Sequence, residues 1–294
     1  MAKQQHKKAA YFHQLIVEFE AALLGGITTP QAIADHFNIN GITTHMGMRW
    51  TSKVVNKFLN DAVIDGHVYS KNKETLKFWS DKNNNIAAQN NLRLRRISET
   101  TIGHYDRLAE DFWQNTKNHD VSQNYEAFLE AIEENAPYKI LDLGCGPGRD
   151  LSFFNSLGHI VTGLDGSRKF VAMARAYSNC EVLHQDFLKL NLPENHYDGI
   201  FANASLFHVP RSELPRILLD LFLTLKPRGV LFCSNPRGNN DEGFNDERYG
   251  CFLNLKTWRE YVTYAGFEEV KCYFRPPGVP RHRQPWLVTV WRKI

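Results

Sequence analysis

The chain has 294 residues, 43% of them hydrophobic, and 35 Lys/Arg against 32 Asp/Glu give a formal net charge of +3; this suits one substantial α/β domain plus a small second one. No stretch approaches ~18 apolar residues, and Met1 to Lys8 is not followed by an apolar core, so neither a membrane span nor a secretory leader is expected. Five scattered cysteines (Cys145, Cys180, Cys233, Cys251, Cys272) with no CxxC pair suit reduced thiols in a cytoplasmic protein and give no metal site.

Phe12, Leu15, Ile16, Phe19 and Leu23 recur at helical spacing and stop at Gly25-Gly26. Thr28-Thr29-Pro30 then caps a second helix carrying Ala32, Ile33 and Phe37. After a turn-rich connector from Gly41 to Trp50, Thr51 or Ser52 caps a third helix. Its inner residues are Val54, Val55, Phe58 and Leu59, and Lys53, Asn56 and Lys57 face outward. His67–Ser70 and Thr75–Trp79 pair as a two-stranded wing. The arrangement over residues 1–80 resembles a winged helix-turn-helix of the recombinase type, which implies DNA binding through residues 28–60, with lysines on phosphate and Asn56 on an adenine edge. Residues 1–90 carry ten Lys/Arg against seven Asp/Glu, mild for a nucleic-acid binder, so a dimerisation or docking role stands equally. The asparagine-rich run from Asp81 marks a linker over 81–97, and a second domain is expected over 98–294.

The segment from Ser98 to Asn124 precedes the first strand and carries Tyr105, Trp113, His119 and Gln123; the spacing of Trp113 from Leu108 and Ala109 fits a core position. Tyr138 to Leu143 reads as a buried parallel strand, and Leu151, Phe153 and Phe154 open the apolar face of a helix. Between them Gly144, Gly146 and Gly148 let backbone amides approach a ligand beside a helix N-terminus. Their even spacing fits neither the dinucleotide fingerprint nor a P-loop, and alone they read equally as a tight turn.

Three further strands end in polar residues: His159–Asp165, Cys180–His184 followed by Gln185-Asp186-Phe187, and Tyr197–Ala202 followed by Asn203-Ala204-Ser205-Leu206-Phe207-His208. In an open parallel sheet such ends define one crevice, and Asp165 stands about 20 residues past the glycines, where an acid meets a ribose. These residues resemble a class I S-adenosylmethionine-dependent methyltransferase over roughly residues 100 to 294. The resemblance implies a Rossmann-like α/β fold, a seven-stranded sheet with helices on both faces, behind a small winged-helix-like α(+β) domain, and a front helix within Ser98–Asn124 over the cofactor that makes Tyr105, Trp113, His119 and Gln123 pocket residues. It implies that Asp142, Gly144, Cys145, Gly146 and Gly148 surround the methionine part of S-adenosylmethionine, that Asp165 and Gly166 hold the ribose, that Asp186 and Phe187 meet the adenine, and that Asn203 and Ala204 face the methyl group.

Gly229–Ser234 reads as a fifth strand and Asn235–Tyr249 as a long polar loop at the ligand edge, where Arg237 and Arg248 can clamp a carboxylate or simply face solvent. The proline-rich run from Phe274 to Trp286 links two antiparallel strands as a rigid rim from which Arg281, Gln284 and Trp286 can face the pocket, the sequence giving no orientation. His119–Asn124, Leu141–Asp150, Phe201–Pro210, Ser234–Gly238 and Gln284–Trp286 together resemble the C-terminal methyltransferase domain of the ovothiol biosynthesis enzymes. That likeness implies N-methylation of the imidazole of 5-thiohistidine, a small-molecule partner, by a chain that carries a helix-turn-helix-like unit where those enzymes carry an iron-dependent region. His208 is the first candidate for accepting a proton, with Asn203 and Tyr105 beside it, and equally reads as a satisfied histidine at the pocket edge. A DNA-associated regulator that senses the cofactor is the alternative. A base-amine methyltransferase is the least favoured, because Asn203-Ala-Ser-Leu lacks the Asn/Asp-Pro-Pro-Tyr/Phe pattern. Nothing in the sequence indicates an oligomeric state.

Overall fold

The structure, a computed structural model, describes residues 22, 27, 30–42, 49–53, 55 and 91–294. The chain divides into two compact units, Met1–Arg93 and Leu94–Ile294. In the first, helix α1 (Pro30–Ile39) starts on a proline whose missing N–H would have had no helical partner. Its Ile33, Ala34 and Phe37 are buried with Ala22, Trp50 and Val55. Asn38 holds the Trp50 backbone from both sides, Nδ2 donating to the carbonyl (2.9 Å) and Oδ1 accepting from the N–H (2.8 Å). The expected first helix, apart from Ala22, lies outside the described residues. So do Asn56 and Lys57, the wing at His67–Ser70 and Thr75–Trp79, and the linker up to residue 90.

Residues 91–107 are helical, and the part from 94 onward, α2, belongs to the second unit. Helices α3 (Ala109–Thr116) and α4 (Ser122–Leu129) follow, then β1 (Lys139–Leu143), α5 (Arg149–Ser156), β2 (Ile160–Asp165), α6 (Arg168–Ser178), β3 (Glu181–His184) and β4 (Tyr197–Asn203). The chain continues through α7 (Leu214–Thr224), β5 (Leu225–Pro236), β6 (Asp241–Asn245), β7 (Arg248–Phe252), α8 (Leu255–Tyr264), β8 (Phe267–Arg275) and β9 (Trp286–Lys293). Seven strands form one sheet in the order β3-β2-β1-β4-β5-β9-β8, parallel up to β5 and antiparallel through β9 and β8.

Alternation along the strands divides the core between the two faces. Leu141, Leu143, Ile200, Ala202, Leu231 and Cys233 pack with Ile217, Leu218 and Leu221 of α7 and Trp258 and Val262 of α8. Ile140, Phe201, Val230 and Phe232 pack on the other side with Phe128 of α4, Phe154 of α5 and Ala174 of α6. The fold is therefore the expected Rossmann-like sheet with helices on both faces.

Two elements differ from the sequence reading. The front segment is not one helix: it breaks at Leu108 and again over residues 117–121. The polar insertion is not a loop throughout. Strands β6 and β7 pair as a hairpin of their own, with Phe244 opposite Tyr249 and Asp246 in the left-handed region (φ 53°) at the turn. Half of its strand residues are charged or glycine, and β6 is mostly exposed while Tyr249, Gly250 and Cys251 of β7 are buried in a row, so no apolar alternation marks them. Strand β5 also begins at Leu225, ahead of the expected Gly229.

Candidate active site

The register brings the carboxyl ends of β1, β2 and β4 to one edge, where Leu143 pairs with Leu164 and Asn203 with Ser234. A cavity of about 660 Å³ opens there, a size suited to a small ligand. Its floor is the main chain of Gly144, Cys145 and Gly146; Asp165, Gly166, Asp186 and Phe187 line it from β2 and β3, and Asn203, Ala204 and His208 from β4. Tyr105, Trp113, His119, Arg248 and Trp286 complete the lining predicted from the sequence.

The local backbone explains the glycines. Gly148 has φ +97°, and a Cβ there would stand 2.9 Å from the Cα of Ala174, so this loop can lie against α6 only without a side chain. Gly144 (φ +75°) leaves room for Ser205, whose hydroxyl donates to the Leu143 carbonyl at 2.6 Å. Asp165 accepts from the N–H groups of Gly146 (3.0 Å) and Ser167 (2.8 Å), which shapes the loop from beneath. Burial raises its carboxyl to about 6, those two donors opposing the shift. Asp142 lies under the loop rather than on the cavity wall. Burial, then the neighbouring Asp150, pushes its carboxyl well above the ordinary range, and its Oδ2 has no partner among the described residues. Gly148 too is absent from the wall, because it is packed on α6.

Asn203 is held at both ends: Nδ2 donates to Asp150 Oδ2 (3.0 Å), and Oδ1 accepts from Asn124 Nδ2 (3.1 Å). Tyr125 donates to Asp150 at 2.6 Å, Arg149 pairs with the same carboxylate, and Tyr273 donates to Asn124 at 2.9 Å. One bond at each end fixes the orientation of the Asn203 amide at the cavity wall.

His208 sits differently. Its Nδ1 lies 2.6 Å from the Tyr249 carbonyl, which can only accept, so Nδ1 carries the hydrogen. Its Nε2 is then an acceptor for the Tyr105 hydroxyl at 2.9 Å. Burial pushes the imidazole down to about 4, leaving it neutral at neutral pH. Tyr105 is raised above the ordinary phenol value by burial, with Arg248 opposing. This pair can orient an acceptor's N–H and pass its proton inward.

Gln123 and Arg237 do not line the cavity. The Gln123 side-chain oxygen is buried without a partner among the described residues, and Arg237 donates to the Arg281 carbonyl (3.2 Å) beyond β5. The two-arginine clamp expected of Arg237 and Arg248 is thus not assembled, because the hairpin carries Arg248 over the cavity while Arg237 leaves the edge toward the 281–285 turn. Arg275, which the sequence reading passed over, lines the wall instead and donates to the Asp120 carbonyl at 2.6 Å. Also unforeseen were Ile97, Ser98 and Ile102; their i, i+3 and i, i+4 spacing with Thr101 and Tyr105 was the available signal, and Ser98 donates to Asp186 at 2.5 Å. No group of His, Cys, Asp or Glu among the described residues can hold a metal ion.

Residues 140–229 match a family profile described as a methyltransferase domain. The chain is 27% identical over 183 residues to a sterol 24-C-methyltransferase of Gibberella zeae, covering 53% of this chain and 47% of that protein. It is 39% identical over 107 residues to a trans-aconitate 2-methyltransferase of Escherichia coli, covering 35% and 40%. The chain thus spans about half the length, or less, of these curated relatives. In fold it is similar to the Burkholderia thailandensis 1,6-didemethyltoxoflavin-N1-methyltransferase, a structure holding 1,6-didemethyltoxoflavin and S-adenosylhomocysteine, with a TM-score of 0.55, 20% identity, and coverage of 68% and 90%.

Proposed function

We propose, from the premise that this chain carries an S-adenosylmethionine-dependent methyltransferase domain, that it methylates a nitrogen of a small-molecule acceptor, and that the acceptor is the imidazole of a 5-thiohistidine-like amino acid. The observation that carries this reading is the Tyr105–His208 pair, set in the wall of a cavity roofed by α2 and the β6–β7 hairpin. Such a cavity suits a small acceptor better than a polymer.

The residues present fit the cofactor. The glycine loop offers bare main chain to the cavity at Gly144 and Gly146, and the buried Asp165 carboxyl lines the wall beside it. Asp165 and Gly166 would hold the ribose, Asp186 and Phe187 the adenine, and Gly144 to Gly146 the methionine part. S-adenosylmethionine supplies a methyl group already activated by positively charged sulfur. The protein's contribution is alignment and exclusion of water. Tyr105 receives the acceptor's N–H hydrogen while its own hydroxyl proton passes to His208 Nε2, and Nδ1–H stays on the Tyr249 carbonyl. Arg248 and Trp286 bind the remainder of the acceptor, Arg248 facing its carboxylate. Trp113 and His119 close the side of the cavity.

The deciding experiment is mass spectrometry of 5-thiohistidine incubated with the protein and S-adenosylmethionine. One added methyl, placed on an imidazole nitrogen by fragmentation, is the expected result. Absence of product from a sample with confirmed cofactor binding would reject thiohistidine as the acceptor.

A further inference from the structure

The catalytic pair depends on an element outside the main sheet. Tyr105 stands on α2, His208 follows β4, and the carbonyl that sets the histidine tautomer belongs to Tyr249 on β7. Besides the Arg248 side chain, which bonds to Tyr105, two further contacts join the hairpin to α2. The Tyr249 N–H donates to Thr101 Oγ1 at 3.1 Å, and Glu247 at the hairpin turn accepts from Arg107 and lies 3.4 Å from His104 Nδ1. The base of the hairpin has its own anchor, since Glu242 accepts from the Arg211 N–H and the Tyr249 hydroxyl, each at 2.9 Å.

The first contact is buried and the second is not. Thr101 and Tyr249 are 7% and 3% exposed, whereas the Glu247 and Arg107 side chains are 55% and 56% exposed. A half-exposed ion pair is weak and sensitive to salt, so the hairpin tip is the part that can lift. Lifting it draws the Tyr249 backbone away from Thr101. Because the same peptide segment carries the carbonyl on His208 Nδ1, the roof cannot open without releasing the imidazole. A released ring is free to take either tautomer, and only one leaves Nε2 open to the Tyr105 hydroxyl.

We propose that Thr101 and Glu247 are positioning residues that clasp the hairpin to α2, so that closing the cavity and setting the His208 tautomer toward Tyr105 are a single event. This rests on the methyltransferase reading only for its catalytic consequence; the tautomer itself is a property of the protein alone. The titratable and charged groups facing His208 are Tyr105 and His104 from α2 and Arg248 from the hairpin. Both His104 and Arg248 disfavour an imidazolium, and burial disfavours it more. Opening the clasp removes the Tyr249 carbonyl, which favours the imidazolium, but it also admits water, and because burial is the largest cause of the depression the histidine then titrates nearer its ordinary value.

The test is nitrogen NMR of the full chain labelled in histidine, with the His208 signals identified by their loss in His208→Gln. Wild type is expected to show a single Nδ1–H tautomer titrating near pH 4. Thr101→Val should give mixed tautomers and a midpoint at least ~1 unit higher. Thr101→Ser should restore the wild-type pattern, and Glu247→Gln, a surface change that spares folding, should move it in the same direction as Thr101→Val. With an active acceptor, kcat should fall ~10-fold in Thr101→Val with the cofactor's Kd unchanged, and the acid limb of kcat should move upward. Identical His208 tautomer and titration in wild type, Thr101→Val and Glu247→Gln would overturn the clasp. A wild type without methyl transfer to any acceptor, but with the NMR differences intact, would reject the methyltransferase reading and keep the clasp.

Discussion

Gly148 and Asp165 each show one residue meeting two demands. Gly148 must be left-handed and must also leave α6 room to approach, so Gly148→Ala combines backbone strain with a contact on the Ala174 main chain. We expect a loss of ~2 kcal/mol, read as a fall in the melting midpoint. Asp165 holds the glycine loop through Gly146 and, in the proposed role, takes two ribose hydroxyls. Its carboxyl is raised to about 6, so the stronger acceptor, the carboxylate, is present above that pH and lost below it. Cofactor affinity measured by calorimetry should therefore fall as pH is lowered through about 6, and Asp165→Asn should bind more weakly with no such dependence. Loss of the charged acceptor is worth ~2 kcal/mol, or ~30-fold in Kd at pH 8. A flat profile in wild type would remove Asp165 from the ribose site.

At the scale of elements, the site is held by caps and side-chain bridges at the strand ends as much as by packing. Ser167 caps α6, its hydroxyl accepting from the Phe170 N–H (3.1 Å) and donating to Asp106 of α2 (2.6 Å). Ser167→Ala removes both, and we expect about 1 kcal/mol less stability, a fall of ~3 °C in the melting midpoint. The chain from Tyr273 through Asn124, Asn203 and Asp150 to Tyr125 ties β8, α4, β4 and α5 together. Replacing Asn124 by Ala takes the partner from the half-buried Asn203 oxygen and leaves the Tyr273 hydroxyl only its longer bond to the Gln123 carbonyl (3.2 Å), and should cost ~1 kcal/mol in denaturant unfolding. A cost near zero would mean that water replaces the lost amide.

At the scale of the molecule, the second unit is the methyltransferase fold and the first is a small unit whose described core is Ala22, Ile33, Ala34, Phe37, Trp50 and Val55. The proposed DNA contact through residues 28–60 belongs to that unit, and its charge is modest. If phosphate contacts drive it, a gel shift by the full chain should appear at about 50 mM salt and weaken steeply by about 200 mM. No shift at the lower salt would leave docking or dimerisation as the unit's role. No helix among the described residues is long and apolar enough to cross a membrane.

Strand-and-helix order, the glycine loop and the polar strand ends were legible in the sequence, because buried parallel strands read as apolar runs and the turns after them carry their own chemistry. Asp165, Asp186 and Asn203 reach the cavity for that reason. What the sequence left open depended on contacts between distant segments. Whether His208 is a proton acceptor or a satisfied histidine turns on Tyr105, 103 positions earlier, and on Tyr249, 41 positions later. Arg275 rather than Arg237 lines the wall, a choice made by where β8 ends and by how the chain leaves β5. Local pattern determined which residues end strands and stop helices; only tertiary packing decided which of them share a cavity, because hydrogen bonds across the sheet edge have no period in the sequence.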